Sequence, residues 1–333
     1  MDIEKLIAAY PAMTDIHITE GAPIMVRISG ILRKLKENAD AALFDELSAR
    51  CLTGTGKEAY EKKGSFDGAF FAGMNRLRIH MYHSGGLRAA ALRILPDLSS
   101  LPPDSDQPWL EKIAALDHGL VLVSGPSGSG KTTTLARILS LINAKRACHI
   151  ITLEDPVEYF IPSQKALIHQ REVGSDVPSF AAGIRDALRE DPDVITVGEM
   201  RDSDTISSAL MAAETGHLVL GTLHTTRAAD SVGRIIHSFP EGKQAEVRAL
   251  LSTNLKYVSA QQLYRTGKET FLLREILANI PAVSHLIREG KEEQIPSYME
   301  MGLQHMRTLK QAAYGLRNIS ERERDRLMKT LEI

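Results

Sequence analysis

Residues 125–132 read Gly-Pro-Ser-Gly-Ser-Gly-Lys-Thr, a spacing suited to wrapping a polyphosphate. Gly125, Gly128 and Gly130 free the backbone, so that amides along Ser127, Ser129 and Thr133 can turn toward phosphate oxygens. Lys131 can reach the β- and γ-phosphates, and the Thr132 hydroxyl can ligate Mg²⁺. Phosphoryl transfer from ATP to water also needs a metal-bound triphosphate and an oriented water. Glu199, with Gly198 leaving room beside it, suits the metal–water shell, and Glu154 suits polarising the water. Sequence leaves these two roles exchangeable, and either residue could instead be a helix N-cap or a surface charge. His224 could sense the γ-phosphate or serve as a core or interface histidine; His217 is the weaker of the two.

These residues need elements to hold them. The run Gly119 to Val123 reads as a buried strand, and Thr133 to Ile142 as a helix with Leu135, Ile138, Leu139 and Ile142 on one face. Further apolar strands at His149–Leu153, Val194–Val197 and Leu218–Leu223 run into Glu154-Asp155, Gly198-Glu199 and His224. In open α/β sheets, ligands bind beyond the carboxyl ends of the strands, so neighbouring strands here would converge on one γ-phosphate. Strand and helix alternate from about 110 to 240, predicting a doubly wound sheet. Beyond 241 the pattern is mostly amphipathic helix, with one strand at Phe271-Leu272-Leu273. Residues 1–95 read as a small α+β domain, with strands at 15–18 and 25–28 and a hairpin of 76–82 and 88–95 around Ser84-Gly85-Gly86. The Pro/Ser/Asp-rich stretch from Leu98 to Pro108 reads as a linker.

The 333 residues are 43% hydrophobic and 25% charged, an ordinary globular composition expected to form two or three domains. No apolar run approaches the roughly 20 residues of a membrane-spanning helix, and the N-terminus lacks a signal-peptide layout. Cys51 and Cys148, far apart, offer neither a disulfide framework nor a four-thiolate zinc site. A cytoplasmic protein is the expectation. The net charge of −2 gives no general pull toward nucleic acid, and none is expected as a partner. Besides Lys131, the nucleotide domain shows no side chain plainly placed to neutralise the transferring phosphate. The N-terminal hairpin carries Arg76, Arg78, Arg88 and Arg93, any of which could do so, or could simply be exposed.

The chain resembles the secretion-superfamily ATPases of type IV pili and type II secretion, most closely their retraction branch. The resemblance rests on the phosphate loop and on the acidic segment Ile151 to Glu158. It continues through Gln170-Arg171-Glu172-Val173, Ala187 to Asp193, Val197 to Asp202, and the histidine box Thr215 to Thr226. It implies a PAS-like N-terminal domain over 1–97, a linker over 98–110 and a RecA-like P-loop ATPase domain over 111–333, helical from about 241. It further implies a homohexamer that hydrolyses ATP with Mg²⁺ at the cytoplasmic face of the cell membrane and turns an inner-membrane pilus platform protein. Arg78 and Arg93 match the positions that approach the nucleotide. Met200 and the low cysteine count resemble the retraction branch. The branch's C-terminal motif Ala-Ile-Arg-Asn-Leu-Ile-Arg-Glu reads here Ala282-Val283-Ser284-His285-Leu286-Ile287-Arg288-Glu289, departing at 283–285.

An assembly or secretion ATPase working in the extension direction is the alternative within the family. A P-loop small-molecule kinase would leave residues 1–95 without a purpose, and the helices after 241 make a poor lid. A DNA-translocating ring would want a basic stripe with interleaved aromatics, which is not seen. A nucleotide-binding regulator with little turnover would not need Lys131, Glu154 and Glu199 together.

Overall fold

The computed structural model describes residues 2–28, 30–52, 60–73, 75–95, 98–266, 270–316 and 319–331. The chain divides into two compact units, Met1–Pro102 with Pro156–Phe160, and Pro103–Asp155 with Ile161–Ile333. The domain end expected at residue 97 falls outside the described residues. The expected linker contains a 3₁₀ turn at Leu98–Ser100 and the start of a helix at Gln107. The return of 156–160 to the first unit was not anticipated; that stretch begins within the acidic segment, after Asp155, and carries Phe160, whose ring meets Phe71 edge-on at 5.1 Å between centroids.

The first unit comprises α1 (Ile3–Ala9), β1 (Met13–Thr19), β2 (Pro23–Ile28), β3 (Ile31–Asn38), α2 (Ala41–Cys51), β4 (Ser65–Ala72), β5 (Asn75–Ser84) and β6 (Leu87–Ile94). The strands lie in the order β3-β2-β1-β6-β5-β4 with every pairing antiparallel. Alternation sets the faces. On β5, Leu77, Ile79 and Met81 point into the core while Arg76, Arg78, His80 and Tyr82 point away. Asp40 caps α2 through the Leu43 amide, and Leu43, Phe44 and Leu47 bury its inner face. Two strands escape the sequence reading. β3 is exposed along nearly its whole length and so shows no alternation, and β4 carries glycine and aspartate in its first half.

The second unit begins with α3 (Gln107–Ala114), β7 (Gly119–Ser124), α4 (Lys131–Lys145), β8 (His149–Glu154), β9 (Leu167–Glu172) and α5 (Phe180–Ala187). β10 (Val194–Val197), α6 (Ser203–Glu214), β11 (Leu218–Leu223), α7 (Ala228–His237), α8 (Glu241–Asn254), β12 (Leu255–Arg265) and β13 (Thr270–Ala278) follow. Its sheet runs β13-β12-β7-β11-β10-β8-β9, parallel except for the β12–β13 hairpin. β7, β10 and β11 are buried at every position, as strands covered on both faces must be.

The expectation of helix after 241 needs correction. α8 ends at Asn254, and residues 255–265 form β12, inserted between β7 and β13. Its buried Ser259 and Gln261 break the apolar signal, so neither strand nor helix period is legible there. The strand expected at 271–273 lies within β13. α9 (Pro281–Glu289) holds the departing motif, with Val283, Leu286 and Ile287 buried and the Ser284 hydroxyl donating to the Ser252 carbonyl at 2.7 Å.

Candidate nucleotide site

The loop between β7 and α4 takes backbone conformations that only glycine adopts readily: φ is +144° at Gly125, +76° at Gly128 and +87° at Gly130. A Cβ on Gly125 would lie 2.3 Å from the Gln261 carbonyl oxygen, so bulk is excluded there on two grounds. Gly130 is the N-cap of α4, whose first turn has no side-chain cap; such an amide end, joined to the helix dipole, suits an anion. Lys131 opens that helix and folds its ammonium over the loop, donating to the carbonyls of Gly125 at 2.8 Å and Pro126 at 3.1 Å. Ser127 and Gly128 are exposed at the loop tip, Thr132 and Thr133 are half-buried in the first turn, and Ser129 is buried.

β7, β11, β10 and β8 are consecutive neighbours, so their carboxyl ends open on one edge. At the end of β10, Gly198 passes close to β8. Its amide donates to the Leu153 carbonyl at 2.8 Å, and a Cβ there would come within 3.0 Å of that oxygen. Glu199 follows and meets His224 from the end of β11, with His224 Nε2 2.8 Å from Glu199 Oε1. The same oxygen accepts from Arg201 Nε. That hydrogen bond, more than bare charge attraction, raises the Arg201 pKa and holds its guanidinium charged. Glu154 ends β8, and its Oε1 accepts from Thr152 Oγ1 at 2.7 Å and Gln170 Nε2 at 3.0 Å. Met200 is buried, and a Cβ on Gly221 of β11 would lie 2.3 Å from its sulfur, so the two residues fit as a pair.

Sequence reasoning passed over three of these residues. Arg201 and Thr152 were in motifs already singled out, two positions after Glu199 and two before Glu154, but no role followed from position alone. Gln170 reaches Glu154 only because β9 pairs with β8. Among the described residues no cluster of three His, Cys, Asp or Glu side chains could hold a metal ion unaided. Mg²⁺ commonly takes only one or two protein carboxylates and completes its shell with phosphate and water, a demand that Thr132 and Glu199 suit.

Arg78 and Arg93 belong to the first unit, directly opposite one another on β5 and β6 and therefore on the same face. Two like charges so placed repel, and carboxylates relieve them. Arg93 Nε donates to Asp15 at 2.9 Å, while Arg78 lies 3.9 Å from Asp67.

Residues 12–322 match the type II/IV secretion system protein family. The chain belongs to that family. It is 38% identical over 312 residues to the type IV pilus retraction ATPase PilT of Pseudomonas aeruginosa, covering 91% of this chain and 90% of that protein. It is 41% identical over 298 residues to a twitching motility protein of Neisseria gonorrhoeae, covering 88% and 80% respectively. The crystal structure of the pilus retraction motor PilT with bound ADP superposes with a TM-score of 0.86 at 38% identity, over 97% of this chain and 96% of that one. The α/β fold with its parallel sheet is thus shared with a family member that holds a nucleotide. No helix among the described residues is long and apolar enough to cross a membrane.

Proposed function

We propose that this family member is an ATP-hydrolysing motor that drives pilus retraction. The carrying observation is the glycine loop on an uncapped helix, at the same sheet edge as the paired Glu199 and His224. In this reading the loop amides and Lys131 hold the triphosphate, while Thr132 and Glu199 hold Mg²⁺, which would neutralise charge on the phosphates. Glu154, oriented by Thr152 and Gln170, polarises the attacking water. His224 reports the γ-phosphate to Glu199. Arg201 sits at the same carboxylate and adds positive charge on the nucleotide unit itself. Arg78 and Arg93 supply further positive charge from the first unit, which we read as the PAS-like domain of a homohexamer that works against a membrane platform protein at the cytoplasmic face.

Two measurements test this. Purified protein should hydrolyse ATP only with a divalent cation, and Glu199→Gln should abolish turnover; a variant as fast as wild type refutes the Glu199 assignment. A strain lacking the gene should carry more surface pili by electron microscopy. Bald cells would mean extension instead, and that the departure at 283–285 outweighs Met200.

A further inference from the structure

An unbroken chain of buried hydrogen bonds runs behind the phosphate loop, built from residues with no role in the site as described. Gln261 on β12 and Arg274 on β13 have no exposed surface, and Thr134 on α4 is 1% exposed. Gln261 Nε2 donates to the Ser129 carbonyl at 2.9 Å. Thr134 Oγ1 donates to Gln261 Oε1 at 3.0 Å and accepts from an Arg274 terminal nitrogen at 3.0 Å. Arg274 in turn donates to Asp104 at 2.8 and 3.1 Å and to Asp106 at 2.9 Å, with its guanidinium 5.1 Å from the centre of the Trp109 ring.

The chain has a fixed direction. A guanidinium donates and never accepts, so the Thr134 oxygen must receive from Arg274. The single hydroxyl proton is then left for Gln261, whose amide oxygen must face Thr134. Its NH₂ is thereby turned to Ser129, removing the ambiguity that an amide otherwise carries. Gln261 touches the loop at its other end as well, because its own carbonyl closes the space beside Gly125.

We infer that Gln261 is a positioning residue for the phosphate loop, oriented through Thr134 by Arg274 and its two aspartates. It clamps the Ser129 carbonyl against the sheet, fixing the loop's curvature before a nucleotide arrives. The inference rests on the nucleotide-binding reading above and names the residues that preorganise the site.

The test replaces Thr134, which lies outside the loop and can lose its hydroxyl without changing shape. Affinity for Mg²⁺-ADP is measured calorimetrically on wild type, Thr134→Val and Thr134→Ser, alongside thermal melting of each without nucleotide. A steady-state assay on ATP accompanies the binding. Thr134→Val should weaken ADP binding about tenfold and raise KM for ATP more than it lowers kcat, with Thr134→Ser restoring both. Gln261→Leu should reproduce the Val result. A folded Thr134→Val protein that binds ADP as tightly as wild type overturns the inference and leaves the nucleotide reading intact. A Ser variant as weak as the Val variant also overturns it, since the hydroxyl would then be irrelevant. A wild-type protein that binds no ADP overturns the nucleotide reading itself.

Discussion

The two sheets house charge in different places. On the antiparallel sheet of the first unit, charged side chains run along the strands: Arg78 and His80 on β5, Arg88 and Arg93 on β6. Each meets a carboxylate: Asp67, Glu20 and Asp45 lie toward the surface, and Asp15, the partner of Arg93, is buried. The central strands β7, β11 and β10 carry no ionisable side chain, and ionisable groups gather at the carboxyl ends: Glu154 as the last residue of β8, Glu199 after β10 and His224 after β11. The cause is covering. A sheet packed on one face can spend its other face on polar groups, whereas one covered on both has only its ends to offer. Where the mixed sheet does bury a charge, at Arg274, it supplies two carboxylates and an aromatic face together. Burial alone would raise the Asp104 carboxyl, but the Arg274 hydrogen bonds and charge hold it below its ordinary range.

If that contrast is right, the largest losses belong to the strand ends. Lys131→Ala should abolish measurable ATP turnover, and Glu154→Gln should lower kcat by about 10²–10⁴; turnover surviving in both would move the chemistry elsewhere. Next come the buried charges. Arg274→Leu leaves Asp104 with only Arg137 at 3.5 Å and Asp106 with only Arg307, and should cost about 3 kcal/mol in urea unfolding, followed through Trp109, the chain's single tryptophan. Retained stability would mean that the cluster opens to water.

The pH dependence should differ in sign between two buried carboxyls, Glu275 on the mixed sheet and Asp15 on the antiparallel one. Burial raises the Glu275 pKa more than its backbone donors, including the Ala228 amide, lower it. Its stabilising contribution is therefore full below the ordinary carboxylate range and is lost as pH rises through the raised value. Glu275→Gln should flatten that decline in Trp109-monitored unfolding. Asp15 behaves oppositely. Burial would raise it, but hydrogen bonds from Arg93 and Thr14 bring it below its usual value, so its contribution is present above that range and lost as pH falls. Amide exchange on β1 at decreasing pH, compared with Asp15→Asn, checks this. The smallest effect belongs to Arg93→Ala on the exposed face, at most about 1 kcal/mol by the same exchange measurement. A larger loss would show that the open sheet face is less tolerant than it looks.

The phosphate loop and the inner face of α4 were legible because both depend on neighbours within a few positions: glycines at turns, and apolar residues at helical spacing. β3 was illegible because an edge strand exposed on both faces has no pattern to read. β12 was hidden by the opposite circumstance, burial of its first half with polar Ser259 and Gln261 among the buried residues and Gln261 bonded from afar. Gln261 bonds Ser129 across 132 positions, and Arg274 bonds Asp104 across 170. An arginine interrupting the apolar run Phe271-Leu272-Leu273 looks like an error until those partners are known.

The sequence alone determined that a glycine-rich loop follows a buried strand and opens a helix, because backbone freedom and side-chain period are local properties. It also set which residue types stand after each strand. Tertiary structure decided which of them meet: β10 and β11 lie side by side, so Glu199 reaches His224, and β9 pairs with β8, so Gln170 reaches Glu154. Strand order depends on how whole faces pack, a sum over distant contacts that no short window of residues contains.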